Sequence, residues 1–188
     1  MGRIIVSENV TLDGVVEDPT GEEGLSRGGW FTEISQADRD AWAQAALREA
    51  QDADALLLGR RGYEFFAARW PSRAGVFADR LNGLPKYVIS ATLDDPTWAN
   101  STVLRGDAVA AVTGLKQTLD GDIVVYASFM LVQMLIEHDL VDELRLTIFP
   151  RLLGDGKRLL GEIGSENPLH LIRATTLGDN LAVVTYQP

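Results

Sequence analysis

GDIVVYASFMLVQMLIEHDLVDELRLTIF, residues 121–149, contains the unit on which a reading of the whole chain rests. Ile123-Val124-Val125 is a short apolar strand, and Tyr126-Ala127-Ser128-Phe129 leads out of it. Leu131, Val132, Leu135 and Ile136 then recur at helical spacing, and Leu144 to Phe149 reads as a second strand. Upstream the pattern repeats. Ala55-Leu56-Leu57-Leu58 is a continuous apolar run stopped by Gly59, as expected of a parallel strand covered on both faces. Tyr63, Phe66, Ala67 and Trp70 mark a helix ended by Pro71, and Tyr87-Val88-Ile89 is another short strand. Asp107 is placed to cap a helix whose inner face is Ala108, Ala111, Val112, Leu115 and Leu119. Nearer the start, Arg3 to Ser7 is strand-like and the glycine-rich stretch from Gly14 to Gly29 reads as a long exposed loop. Ser35 caps a helix with Asp38 as its capping-box acid, and Trp42, Ala45, Ala46, Ala50 and Ala53 share one face. His170 to Thr175 and Leu181 to Tyr186 bracket a Gly178-Asp179-Asn180 turn, an antiparallel hairpin. The expectation is one α/β domain over residues 1–188. It has a mixed, mostly parallel sheet, helices on both faces and an antiparallel C-terminal hairpin.

Composition narrows the function. A net charge of -10 leaves no excess of Lys and Arg to displace counterions from a phosphate backbone, so nucleic acid is not expected as a partner. The absence of cysteine removes disulfides, thiolate nucleophiles and Cys-based zinc sites. His138 and His170 lack metal-ligand spacing, so no metal is expected. The opening MGRIIVSE is already strand-like, and no run is long enough to span a bilayer, so a cytoplasmic protein without a membrane partner is expected.

Ligands of open α/β sheets bind beyond the carboxyl ends of the strands. Three junctions qualify: Gly59-Arg60-Arg61-Gly62, Ser90-Ala91-Thr92, and Tyr126 to Phe129. The first joins a glycine to two arginines at a helix start, a phosphate site or merely a turn with solvated side chains. At the third, Ser128 reads locally as a helix cap. Gly154-Asp155-Gly156-Lys157 lacks the residues of a dinucleotide fingerprint or P-loop, and there is no GxSxG elbow. Trp30 either closes over a flat ring or anchors its loop to the core.

Six segments stand in one order: TLDGVVEDP (11–19), GGW (28–30), LLLGRRGYEFFAARWP (56–71), LPKYVISATL (84–93), NSTVL (100–104) and the long stretch 121–159. In this the chain resembles the bacterial dihydrofolate-reductase-like proteins that share the reductase domain of the riboflavin-biosynthesis deaminase–reductase. The resemblance implies that fold and an NADPH-dependent reductase of a small flat heterocycle, pterin- or pyrimidine-like. By position it assigns Gly59, Arg60 and Arg61 to the adenosine-side phosphates, and Ser90 and Thr92 to a second cofactor junction. Ala127, Ser128, Phe129, Met130 and Leu131 match the pyrophosphate turn, and Val10, Thr11 and Asp13 lie near the nicotinamide. Tyr126 stands where riboflavin reductases carry a substrate-holding acid, and Trp30 is the other substrate candidate. Asp13, Glu33 and Asp38 are the candidates for proton donor. Gly62 replaces the family's Thr, losing a hydroxyl, while Ala127 replaces a glycine and, with the bulk of Phe129 and Met130, crowds the turn. The alternative is a non-catalytic ligand-binding or assembly protein with a degenerate cofactor site. A homodimer is expected through the apolar strands 144–149 and 181–186, which would otherwise leave open edges.

Overall fold

Leu56, Leu57 and Leu58 are buried because both faces of their strand are covered, each side chain contributing about 1.5–3 kcal/mol by leaving water. The computed structural model describes residues 1–161 and 168–188. In chain order its elements are β1 (Arg3–Thr11), α1 (Gln36–Asp52), β2 (Ala55–Gly59), α2 (Arg60–Ala67), α3 (Val76–Gly83) and β3 (Lys86–Ile89). β4 (Ser101–Leu104), α4 (Ala108–Thr118), β5 (Asp122–Val125), α5 (Phe129–Glu137), β6 (Glu143–Phe149), β7 (His170–Leu177) and β8 (Leu181–Gln187) follow. The strands form one sheet in the order β4-β3-β2-β5-β1-β6-β8-β7. Neighbours from β4 to β6 pair in parallel, and β8 pairs antiparallel with both β6 and β7. This is the dihydrofolate-reductase-like architecture.

Side-chain alternation divides the core. Ile4, Val6, Val10, Leu57, Ile123 and Val125 pack with α4 and α5 through Val112, Leu115, Leu131, Val132 and Leu135. Ile5, Leu56, Leu58, Val88 and Val124 pack on the other face with Ala50, Tyr63, Leu81 and Trp98. Lys86 is wholly buried, yet its ammonium donates to the carbonyls of Asn82, Leu84 and Ala99 at 2.8–3.0 Å, and burial lowers its pKa to about 8. Among the described residues, no helix is long and apolar enough to cross a membrane.

Several expectations change. β1 runs past Ser7 to Thr11, because its polar residues still pair in register with β6 up to Thr11 opposite Phe149. α2 stops at Ala67, and turns closed by Arg69 and Trp70 N–H on the Phe66 carbonyl carry the chain to Pro71. α3 and β4 carry too little periodic apolar pattern to be read in advance. The strands 144–149 and 181–186 are not edges: β6 lies between β1 and β8, and β8 between β6 and β7. The free edge on this side is β7, where Leu171 and Ile172 are 56% and 55% exposed.

The 14–29 loop is folded onto the sheet rather than merely exposed. Asp18 is buried and its carboxylate accepts from the N–H groups of Glu23 and Leu25, both at 2.9 Å. The adjoining Trp30 is 1% exposed. It donates to the Glu17 carbonyl at 3.0 Å and meets the Phe149 ring edge-on, with centroids 5.3 Å apart. Trp30 anchors the loop.

The capping box at α1 is half right. Ser35 Oγ accepts from Asp38 N–H at 3.1 Å, but the Asp38 carboxylate faces the β7–β8 turn. There it accepts from the Asp179 and Asn180 N–H groups at 2.7 and 3.0 Å, and from the Asn180 amide at 2.9 Å. That last bond, first among the causes, holds its pKa at about 2. Because the folded-state value is the lower one, this stabilisation is present above about pH 4 and is lost as pH falls towards 2. Asp38→Asn is therefore expected to lower stability at neutral pH. In denaturant melts, the gap to the unsubstituted protein should close progressively below about pH 4; a constant gap would contradict an ionised clamp.

Candidate cofactor and active site

The first helical turns of α2 and α5 touch. Gly59 N–H donates to Ser128 Oγ at 2.9 Å, and Ser128 Oγ in turn donates to the Tyr126 carbonyl at 3.0 Å. Ser128 thus braces two junctions and does not cap α5 with its side chain, as the sequence had suggested. Gly62 explains the closeness. A Cβ there would lie 2.6 Å from Ser128 Oγ and 3.0 Å from the Ala127 carbonyl oxygen, so the position has no room for a threonine. Gly62 is a packing requirement rather than a lost hydroxyl.

Ala127 adopts φ +44, the left-handed region that disfavours a Cβ. Crowding at the turn is otherwise modest. Phe129 and Leu131 pack into the core, and Met130 is 65% exposed. The first-turn N–H groups of a helix have no partner within it, and both helix dipoles place their positive ends here. The abutting turns therefore suit an anion.

Basic residues flank them. Arg60 donates to Glu64 at 2.8 Å and also to Thr92 Oγ1, tying the first junction to the second. Arg61 is exposed and has no ion-pair partner among the described residues. Ser90 Oγ accepts from the Thr92 and Leu93 N–H groups at 3.2 and 3.0 Å, shaping the second junction. Arg105 also reaches it, donating to the carbonyls of Ala91 and Leu93 and to Asp94. Sequence reading missed Arg105 because it follows β4, itself unrecognised.

At the exit of β1, Val10 is core and Thr11 is buried. Thr11 Oγ1 donates to Asp13 at 2.7 Å and accepts from Val15 N–H at 2.9 Å. Asp13 also accepts from Gly154 and Leu153 N–H groups. The Gly154 bond is the main reason that its pKa falls to about 2. Glu33 is exposed beside Arg151, and Asp38 is committed to the hairpin. Of the three sequence candidates for proton donor, Asp13 and Asp38 are thus held ionised by their hydrogen bonds, and Glu33 is paired with Arg151.

A different carboxyl, Glu8, is buried at the junctions, and sequence reading overlooked it. It lies on β1, 8% exposed, and its Oε1 accepts from Ser128 N–H at 3.3 Å. Burial, and then the charge of Glu49, raise its pKa to about 8. The signal was the spacing: residue 8 shares a side of the strand with Ile4, Val6 and Val10 and must face inward. Tyr126 is half-buried, and its hydroxyl lies buried near Glu49. Burial, reinforced by Glu49, holds its ionisation well above the usual phenol range. Its ring continues through Phe66 and Trp70 to Phe77. These last two help line a groove of about 430 Å³ beside α1.

The strain at Ala127 yields a prediction. Ala127→Gly relieves about 1–2 kcal/mol of left-handed strain against about 0.4–1 kcal/mol of added unfolded-state entropy. A small net stabilisation is expected in a denaturant melt, together with tighter binding of a dinucleotide. A loss of stability would show that the methyl packs favourably.

Comparison with known proteins places this geometry. The uncharacterised Bacillus subtilis protein YyaP is 27% identical over 190 residues, covering 98% of this chain and 94% of that one. A candidate riboflavin biosynthesis protein from Shewanella sp. PV-4 superposes with a TM-score of 0.77 at 22% identity, covering 98% of each chain. The dihydrofolate reductase of Enterococcus faecalis, solved with NADP(H), gives 0.59 at 12% identity over 98% of this chain and 95% of that one. Residues 3–183 match the RibD C-terminal domain, and the chain belongs to that family.

Proposed function

We propose that the protein is an NADPH-dependent reductase of a small flat heterocycle, pterin- or pyrimidine-like. The observation that carries this reading is the junction of α2 and α5, where two positive helix ends meet with Arg60, Arg61 and Arg105 beside them. Membership of a reductase-type family and the NADP(H) complex of the Enterococcus faecalis enzyme support it. The residues fit a phosphate-bearing cofactor, since first-turn N–H groups of two helices, which have no partner within their helix, converge there beside arginine side chains.

The bound nicotinamide would supply the hydride. The protein's own contribution is position. First-turn N–H groups of α2 and α5 would hold the phosphate charge, with the arginines taking the adenosine-side phosphate. Thr11 and Asp13 fix the exit of β1 against the 153–154 loop, so the ring would lie on a rigid floor between the 11–30 segment and the sheet. Tyr126 and Phe66 present an aromatic wall to the substrate.

A non-catalytic binding protein is the second reading, favoured by the structural commitments of Asp13 and Asp38. NADPH titration followed by an assay of NADPH oxidation with pterin and pyrimidine substrates separates the two: binding without turnover on any of them supports the second. For the first, Arg60→Ala should weaken NADPH about tenfold or more, one charge-assisted bond of ~1.5–3 kcal/mol, and leave NADH nearly unchanged. Equal losses for both would show that Arg60 does not read the 2′-phosphate.

Assembly belongs to the same reading. The exposed apolar side chains Leu169, Leu171 and Ile172 on and beside the free β7 edge favour pairing with a second copy. Light scattering is expected to give about twice the 20.5 kDa chain mass. The single-chain mass across micromolar concentrations would rule the dimer out.

A further inference from the structure

Glu8 is a carboxyl on a central strand, more than nine-tenths buried, with no ion-pair partner among the described residues. Buried carboxyls normally have a cation or several hydrogen bonds. Here the one hydrogen bond found for it comes from Ser128 N–H, the N-cap amide of α5 and part of the junction described above. The same amide belongs to the helix end at which an anion would seek its donors.

The surroundings do not compensate a charge at this place. α1 brings Glu49, a like charge, whose own counter-ion is Arg145 on β6 at 3.0 Å. Arg145 is shared with Glu143, which also pairs with Arg3. The exit of β5 brings the Tyr126 hydroxyl, held neutral. The first turn of α5 carries no charged side chain, and Lys157, 5.6 Å from the Phe129 ring, is paired with Glu17.

We propose that Glu8 is a proton-dependent gate on this junction, which holds an anionic phosphate group only while the Glu8 carboxyl is protonated. The proposal rests on the reading of the junction as a phosphate site. Ionised, Glu8 places a negative charge against the amide that the ligand needs and repels the ligand through a poorly solvated interior. Protonated, it offers Ser128 N–H only a neutral acceptor and leaves the helix end positive. Each anion bound to the ionised protein therefore takes up one proton from solvent, and by linkage the anion raises the midpoint of Glu8 titration. The raised pKa of about 8 means that the gate stands open at neutral pH. Glu8 is in this sense a positioning residue, acting on the ligand through Ser128.

The experiment is a fluorescence titration with NADPH at about pH 7 and about pH 9.5, on the unsubstituted chain and on Glu8→Gln. If the ionised form excludes the ligand, affinity falls by roughly 30-fold between the two for the unsubstituted chain and less than about twofold for Glu8→Gln. Lys86 titrates in the same range, so the comparison with Glu8→Gln, not the pH profile alone, decides. Equal affinity of the unsubstituted chain at both pH values overturns the gate, as does the same fall in Glu8→Gln. A second readout needs no variant. Carbon-13 NMR of the side-chain carboxyls follows the midpoint near pH 8 with and without inorganic pyrophosphate. An upward move supports the proposal, and an unmoved midpoint overturns it. Failure of NADPH to bind at about pH 7, where Glu8 is neutral, would instead overturn the dinucleotide reading, and the pyrophosphate arm then decides the gate by itself.

Discussion

The hydrogen bond from Gly59 N–H to Ser128 Oγ sets the distance between α2 and α5, and the functional end of the molecule depends on that distance. β2 and β5 are neighbours in the sheet, so their exits are close by topology alone. Bringing the helix starts into contact requires more: glycine at 62, a small side chain at 127 and a hydroxyl at 128 that can both donate and accept. Each of these looks minor in isolation. Jointly they align two helix dipoles on one spot, a concentration of positive potential that an acidic chain obtains from its backbone rather than from its net charge.

Placing β1 at the centre of the sheet has a chemical corollary. A strand flanked by β5 and β6 and covered on both faces has no solvated position along most of its length. A polar residue on such a strand must be neutral, paired or functional. Thr11 is paired, with Asp13 and Val15. Asn9 is paired, accepting from the Trp42 indole at 2.9 Å. Glu8 is kept neutral instead, and it is the one that touches the junction.

How much of this was legible in the sequence depended on the range over which each signal acts. The runs at 55–58 and 123–125 declared doubly covered strands, and the hairpin at 178–180 declared itself by its turn residues. The architecture followed from such local patterns. α3 and β4 did not, because an eight-residue helix and a four-residue edge strand carry almost no periodicity. At the site, Gly59, Arg60 and Ser128 were found at their junctions, but their roles were set by partners tens of residues away. Ser128 resembled a cap and is a brace; Asp38 resembled a capping-box acid and is bonded to a turn 141 residues later. Gly62 resembled a missing hydroxyl until the Ser128 side chain was seen to fill the space beside it. Glu8 was missed for a different reason: a glutamate in a short apolar run suggests the end of a strand, not its middle.

The position of β1 also constrains how the chain can reach this fold. Its partners are β5, starting at Asp122, and β6, starting at Glu143, so during synthesis this strand waits for more than a hundred residues before either neighbour exists. During that interval Ile4, Ile5 and Val6 have no native sheet to join, and helix formation at α1 cannot supply one. The closure of two long chain loops around a single strand makes folding slow and leaves an apolar segment exposed in the meantime. The acidic residues in the loop that follows provide local charge against premature association while the rest of the sheet is being made.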